Sequence, residues 1–229
     1  MSDINTLREQ VQEVLTNFPQ FNKQEGDKGI IISGKFILNN EFNKIPLYDE
    51  YMIEVLVPLS FPDELPTVYE TSNALDKDFE HWYVNGELCL GAMCDLMDFV
   101  DQHRKLIDFF DGPLRSYFYS ASYFKRYKTV PYGERSHGMA GIIEAYTERY
   151  NAENVQELVK LLAYTAGVVP YRGHAMCLCD SGKVFRKCHG AQVLKDIKSS
   201  RANIHKIEAM MILEWYFKEI RGKGQRKSG

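Results

Sequence analysis

"YDEYMIEVLVPLSFPDELPTVYE", residues 48–70, decides the fold. In its first part Tyr51, Ile53, Val55 and Val57 fall on one face of an extended chain, the period of a half-buried strand. Pro58, Phe61, Pro62 and Pro66 then stiffen the chain, and Pro62 and Pro66 have no N–H to give to a ladder. The strand must stop there, and "LPTVYET" (65–71) starts a new one.

Towards the N-terminus, "GIIISGKFIL" (29–38) reads as another strand, with a bulge expected at Gly34. Before it, Leu7, Val11, Val14, Leu15 and Phe18 recur at helical spacing, so residues 4–18 form an amphipathic helix that Pro19 ends. A helix followed by consecutive strands on short links is an α+β layout: an antiparallel meander with a helix packed on it.

Towards the C-terminus the pattern turns helical. Residues 94–110 read as one helix with Leu96, Phe99, Val100, Leu106, Ile107 and Phe110 as its core, and 114–127 as an aromatic-rich second. Residues 128–138 are a connector in which Glu134, Arg135 and His137 read as linker polar groups. Helices are expected at 139–150 and 154–166, then a break over 165–173. The final helix, 202–220, is apolar on several sides and is expected to dock on something.

No run approaches the roughly 18 apolar residues that cross a membrane, and "MSDINTLREQ" lacks the apolar core of a secretory signal. The expected location is the cytoplasm, with no membrane partner. The net charge of −3 is uneven. From Lys195 on, nine Lys/Arg face four Asp/Glu, giving +5 and leaving −8 for the first 194 residues. The terminal "RGKGQRKSG" reads as a frayed basic tail, and the acidic remainder disfavours a nucleic-acid partner.

The chain has five cysteines, Cys89, Cys94, Cys177, Cys179 and Cys188, an odd number that argues against a disulfide framework. Cys177, Cys179, Cys188 and His189 form a C-x-C-x8-C-H arrangement with turn residues between its halves. Three thiolates and an imidazole in one loop suit tetrahedral zinc. The stretch resembles the SEC-C motif, C-x-C-x-S-G, an aromatic, then C-H: Ser181, Gly182 and Phe185 also match. That resemblance implies a closed, structural zinc knuckle over 175–192 that often serves as a docking knob.

Cys89 stands three residues beyond the tight-turn signal Asn85-Gly86. With the proline-rich link, this completes two patterns of the ubiquitin-conjugating-enzyme family. Pro58, Phe61, Pro62, Pro66 and Val68 match P-x-x-[FY]-P-x-x-x-P-x-[IV], and Asn85, Gly86, Leu88, Cys89 and Leu90 match N-G-x-[IL]-C-L. The resemblance implies a four-strand meander and a catalytic domain over 1–125, followed by a helical region, 126–229, holding the zinc motif and the basic tail. It implies that Cys89 takes a protein C-terminus as a thioester and passes it to an amine.

The family's His-Pro-Asn is absent, as is its tryptophan downstream of the cysteine. His81 stands eight residues before Cys89, where that asparagine would be, and is the candidate oxyanion donor. The departures are similar to a bacterial branch found in CBASS-type antiphage operons. There the conjugated protein can be a cGAS-like nucleotidyltransferase, and a separate activating enzyme is an implied partner. The alternative is an inactive conjugating-fold adaptor with a zinc docking motif. Cys94 reads as packing, Asp95 and Asp98 as charges at a helix N-terminus, and His103 as exposed.

Overall fold

The computed structural model describes residues 4–131, 139–179 and 181–225, with side chains as far as Ile220. The chain divides into two compact units, Met1–Glu134 and Arg135–Gly229.

The first unit opens with helix α1 (Ile4–Asn17) and continues through β1 (Phe21–Gly26), β2 (Gly29–Phe42), β3 (Ile45–Pro58) and β4 (Thr67–Glu70). The strands form one sheet in the order β1-β2-β3-β4, each pair antiparallel, so the α+β layout is present. Three of these strands were legible. The fourth, β1, was not, because "FNKQEG" buries only Phe21 and shows no alternation. It is held chiefly by its backbone, paired with β2 from Phe21 opposite Gly34 to Gly26 opposite Gly29, with Phe21 in the core and Glu25 bonded to Arg8 of α1.

The expected bulge at Gly34 does not form. The β2–β3 ladder runs from Gly29–Pro58 to Phe42–Ile45 without skipping a residue. Gly34 is there for clearance: a Cβ would meet the Gln20 carbonyl oxygen at 2.2 Å, where β1 begins. Both strands run further than their apolar cores. They close on Asn43 and Lys44, whose φ of 50° and 65° are those of a two-residue hairpin turn.

The inward face of β3 is the one expected: Tyr51, Ile53, Val55 and Val57 are buried. They share a core with Leu7, Val11 and Val14 of α1 and Ile30, Ile32, Phe36 and Leu38 of β2. Each such side chain contributes about 1.5–3 kcal/mol.

The single helix expected over 94–110 is divided. α2 is Met93–Gln102, α3 is Leu106–Phe109, a π-turn covers Phe110–Leu114, and α4 is Arg115–Tyr127. The side chain of Gln10 in α1 accepts the Leu106 N–H at 2.8 Å, starting α3 afresh. A wide π-turn accommodates Pro113, which has no N–H to give. Gly112 leaves room for Phe99, whose ring a Cβ would strike at 2.4 Å. α4 then lies against the sheet, Phe118 ring to Tyr51 ring at 4.4 Å and Tyr51 hydroxyl to Ser122 Oγ at 2.7 Å.

The second unit contains α5 (Met139–Tyr150), α6 (Val155–Thr165), a short 3₁₀ turn (Phe185–Lys187), α7 (Gly190–Lys198) and α8 (Ala202–Gln225). α5 and α6 fall where expected. α7 was not legible because its inward face carries an aspartate. Asp196 is fully buried and takes a two-pronged bond from Arg149, at 2.8 and 2.7 Å. Asp196→Ala takes the two-pronged carboxylate away from that buried guanidinium. The second unit should lose about 3–5 kcal/mol, read as a lower melting temperature of α5–α8.

α8 runs to Gln225, into the stretch read as a frayed tail. It docks through Ala209, Ile212 and Leu213 and leaves Ile207, Met210, Met211, Phe217 and Ile220 exposed. Glu134, Arg135 and His137 of the connector, and the last four residues, lie outside the described residues. Among the described residues no helix is long and apolar enough to cross a membrane.

Candidate functional site

Two clusters carry chemistry, one in each unit. In the first, the chain leaving β4 is held by Glu70, whose carboxylate collects the Ser72 and Ala74 amides at 2.9 and 3.0 Å and the Ser72 hydroxyl. It then makes a small hairpin. Trp82 pairs with Leu88, and Tyr83 and Glu87 bond across the reversal at 2.8 Å. The Asn85-Gly86 turn forms as read: Gly86 has φ 83°, and the Asn85 side chain accepts the Glu87 N–H at 3.1 Å. The returning arm adds to the edge of β4, with the Leu88 N–H on the Val68 carbonyl at 2.8 Å.

This arm presents Cys89. Leu88 enters the core, and strand alternation turns Cys89 to the opposite side, where it is half-buried. Its N–H donates to the His81 carbonyl at 2.9 Å. The fold therefore brings Cys89 and His81 together as cross-strand neighbours through the backbone. The His81 ring lies on Phe79, centroids 4.4 Å apart. Cys94, by contrast, is buried. Asp95 sits in the first turn of α2, and His103 is exposed at its C-terminal end.

One residue here had no sequence signal. Tyr117 of α4 is buried, and its hydroxyl donates to the same His81 carbonyl at 3.0 Å. Burial pushes its pKa well up, and charge on Cys89 adds to the shift, so the hydroxyl stays protonated beside the thiol.

The second cluster starts from a small loop pairing. Cys177 N–H bonds the Lys183 carbonyl at 2.9 Å and Phe185 N–H the Ala175 carbonyl at 2.7 Å, with Gly182 at φ 69° between them. The 3₁₀ turn and the start of α7 bring up Cys188 and His189. Phe185 anchors the loop against Tyr164 and Tyr171, at 4.8 and 5.4 Å between centroids. Gly190 allows that anchor, since a Cβ would meet the Phe185 ring at 2.6 Å.

The ligand atoms of Cys177, Cys179, Cys188 and His189 all lie within 4.8 Å of one another, and the four can bind a metal ion. Ser181 places its hydroxyl 3.1 Å from the Cys179 sulfur and 3.6 Å from that of Cys188. Hydrogen bonding to Ser181 draws the Cys179 thiol down to about 6, whereas burial pushes the Cys177 thiol up.

The imidazole is oriented by the second unit's own helices. His189 Nδ1 faces the thiols, 3.3 Å from the Cys177 sulfur, and Nε2 is 3.1 Å from the Asn151 carbonyl. An N–H at Nε2 leaves Nδ1 as the metal-facing atom. Glu157 Oε1, buried without a hydrogen-bond partner, lies 3.7 Å from Nδ1. Its other oxygen caps α6 by accepting the Glu153 N–H at 2.8 Å.

No protein-family model, curated protein or solved structure matches this chain.

Proposed function

We propose that this protein is an acyl transferase of the ubiquitin-conjugating type, with Cys89 as nucleophile. The observation that carries the reading is the presentation of Cys89: a half-buried thiol on an edge hairpin, three residues past a formed Asn85-Gly86 turn. The order of elements supports it as well. A first helix, a four-strand antiparallel meander, the cysteine hairpin and then helices is the order of the conjugating fold. Trp82 and Tyr83 are exposed beside the thiol and Val84 fully so, which suits contact with a protein rather than a small molecule.

The Cys89 thiolate attacks the carbonyl carbon of an activated protein C-terminus, delivered as a thioester or acyl adenylate. A C–S bond forms, and the donor's thiolate or AMP leaves. An amine then attacks the new thioester, a C–N bond forms, Cys89 leaves as thiolate and the amine's proton passes to water. Attack on an already activated carbonyl needs only a small thiolate fraction at neutral pH. The chain resembles a branch in which the conjugated protein can be a cGAS-like nucleotidyltransferase, so that class is the first donor to test, with a separate activating enzyme and ATP. A thiol-sensitive adduct on a non-reducing gel supports the reading. Its absence with an activated donor overturns it and leaves the adaptor reading, in which Cys89→Ser costs the biological activity nothing.

His81 is the proposed oxyanion donor. His81→Ala should slow transfer by on the order of 10²-fold at unchanged folding. An unchanged rate removes His81 from the mechanism.

The second cluster is proposed as a structural zinc site. Zinc bonds of about 2.3 Å to sulfur and 2.0–2.1 Å to nitrogen set tetrahedral ligands roughly 3.4–3.8 Å apart. The separations here are 3.5 Å for Cys179–Cys188, 3.8 Å for Cys188–His189 and 3.3 Å for Cys177–His189. Four protein ligands close the coordination, so the ion has a folding role and no position for a substrate.

A further inference from the structure

We propose that Tyr117 is a positioning residue for Cys89, acting through the carbonyl of His81; its effect on transfer rests on the transferase reading, and its effect on geometry does not. The two donors meet at one oxygen. The Cys89 N–H reaches the His81 carbonyl at 2.9 Å and the Tyr117 hydroxyl reaches it at 3.0 Å. The hydroxyl therefore lies within two hydrogen-bond lengths of the Cys89 amide.

The hydroxyl is fixed from behind. The Tyr117 ring is edge-on to Phe79 at 5.6 Å and to Phe118 at 5.2 Å, and Phe118 is fully buried against the sheet. Phe79 also carries the His81 ring and accepts the His81 N–H at 2.9 Å. The segment 79–81 is thus pinned to α4, and Cys89 is pinned to the segment. On its other side the arm is held by Leu88 on Val68 of β4. Without the hydroxyl the segment keeps its ring packing through Phe79, but the carbonyl that accepts the Cys89 N–H loses its hydrogen bond from α4.

Burial and the neighbouring thiol both keep the Tyr117 hydroxyl protonated, so it is a donor at every pH at which Cys89 can act.

Tyr117→Phe keeps the ring and removes only the donor. In the full chain, amide hydrogen exchange at Cys89 should quicken at least tenfold, while Leu88, bonded to β4, keeps its protection. With an activated donor, kcat for transfer should fall about tenfold at unchanged KM. Tyr51→Phe is the control, because it removes another buried tyrosine hydroxyl of this core, one bonded to Ser122. It should leave Cys89 exchange alone. Unchanged exchange in Tyr117→Phe, or an equal rise in both variants, overturns the proposal. Exchange that rises as expected in a protein that forms no Cys89 adduct sinks the transferase reading and leaves the positioning intact.

Discussion

Cys89→Ala should abolish the thiol-sensitive adduct and bring transfer below detection, while the protein melts within a degree or two of wild type. No other cysteine can take over. Cys94 is buried in the first unit, and Cys177, Cys179 and Cys188 belong to the metal cluster. Cys89 itself is half-buried beside a core leucine, so losing its sulfur leaves little cavity. Cys89→Ser is a finer test. A hydroxyl is hardly ionised at neutral pH, so acylation should slow by orders of magnitude, and any ester formed should resist dithiothreitol. Cys94→Ala should behave in the opposite way, keeping the adduct and losing about 1 kcal/mol of stability. An adduct that survives Cys89→Ala, or disappears with Cys94→Ala, contradicts the assignment.

Stripping the metal should cost the second unit its fold. Binding of a structural zinc is worth on the order of 10 kcal/mol, comparable to the whole stability of a domain this size. The cluster is tied to the helices rather than hung from them. His189 bonds the turn between α5 and α6 at Asn151, Phe185 packs on Tyr164 of α6, and the Tyr171 hydroxyl holds the Gly190 carbonyl at 3.0 Å. Chelation, or Cys188→Ser, should expose the amides of α6 and α7 to rapid exchange while β2 and β3 keep theirs. Purified protein should carry one equivalent of zinc by elemental analysis. Unchanged exchange after chelation, or no bound metal, overturns the structural role. The SEC-C resemblance implied a closed structural site, and the contacts of Phe185, His189 and Gly190 tie the four residues to the helices of the second unit.

The sequence carried far on both sites. The C-x-C-x8-C-H run named all four clustered residues, because ligands so close in sequence need only one short loop to meet. Asn85-Gly86 located the reversal before Cys89, because the turn's demand for positive φ is local. The inward face of β3 was legible because one side of that strand is core and the other is not. What failed had no local signal. β1 is an edge strand whose pairing is made by backbone bonds that any sequence can make, and it buries only Phe21. The break before Leu106 comes from Gln10, far away in sequence. α7 hid because one of its few core positions is an aspartate, whose arginine lies on α5.

The sequence by itself determined the layout of helix and meander, the reversal that presents Cys89, and the four side chains gathered at the second cluster. Each depends on period, turn chemistry or ligand spacing, which act over a few residues. The tertiary structure alone decided which partners complete those sites. Tyr117 reaches the His81 carbonyl from α4, and Asn151 orients His189 from the turn after α5. Hydrogen bonds between elements distant in the chain are fixed by packing, and packing is a property of the folded whole.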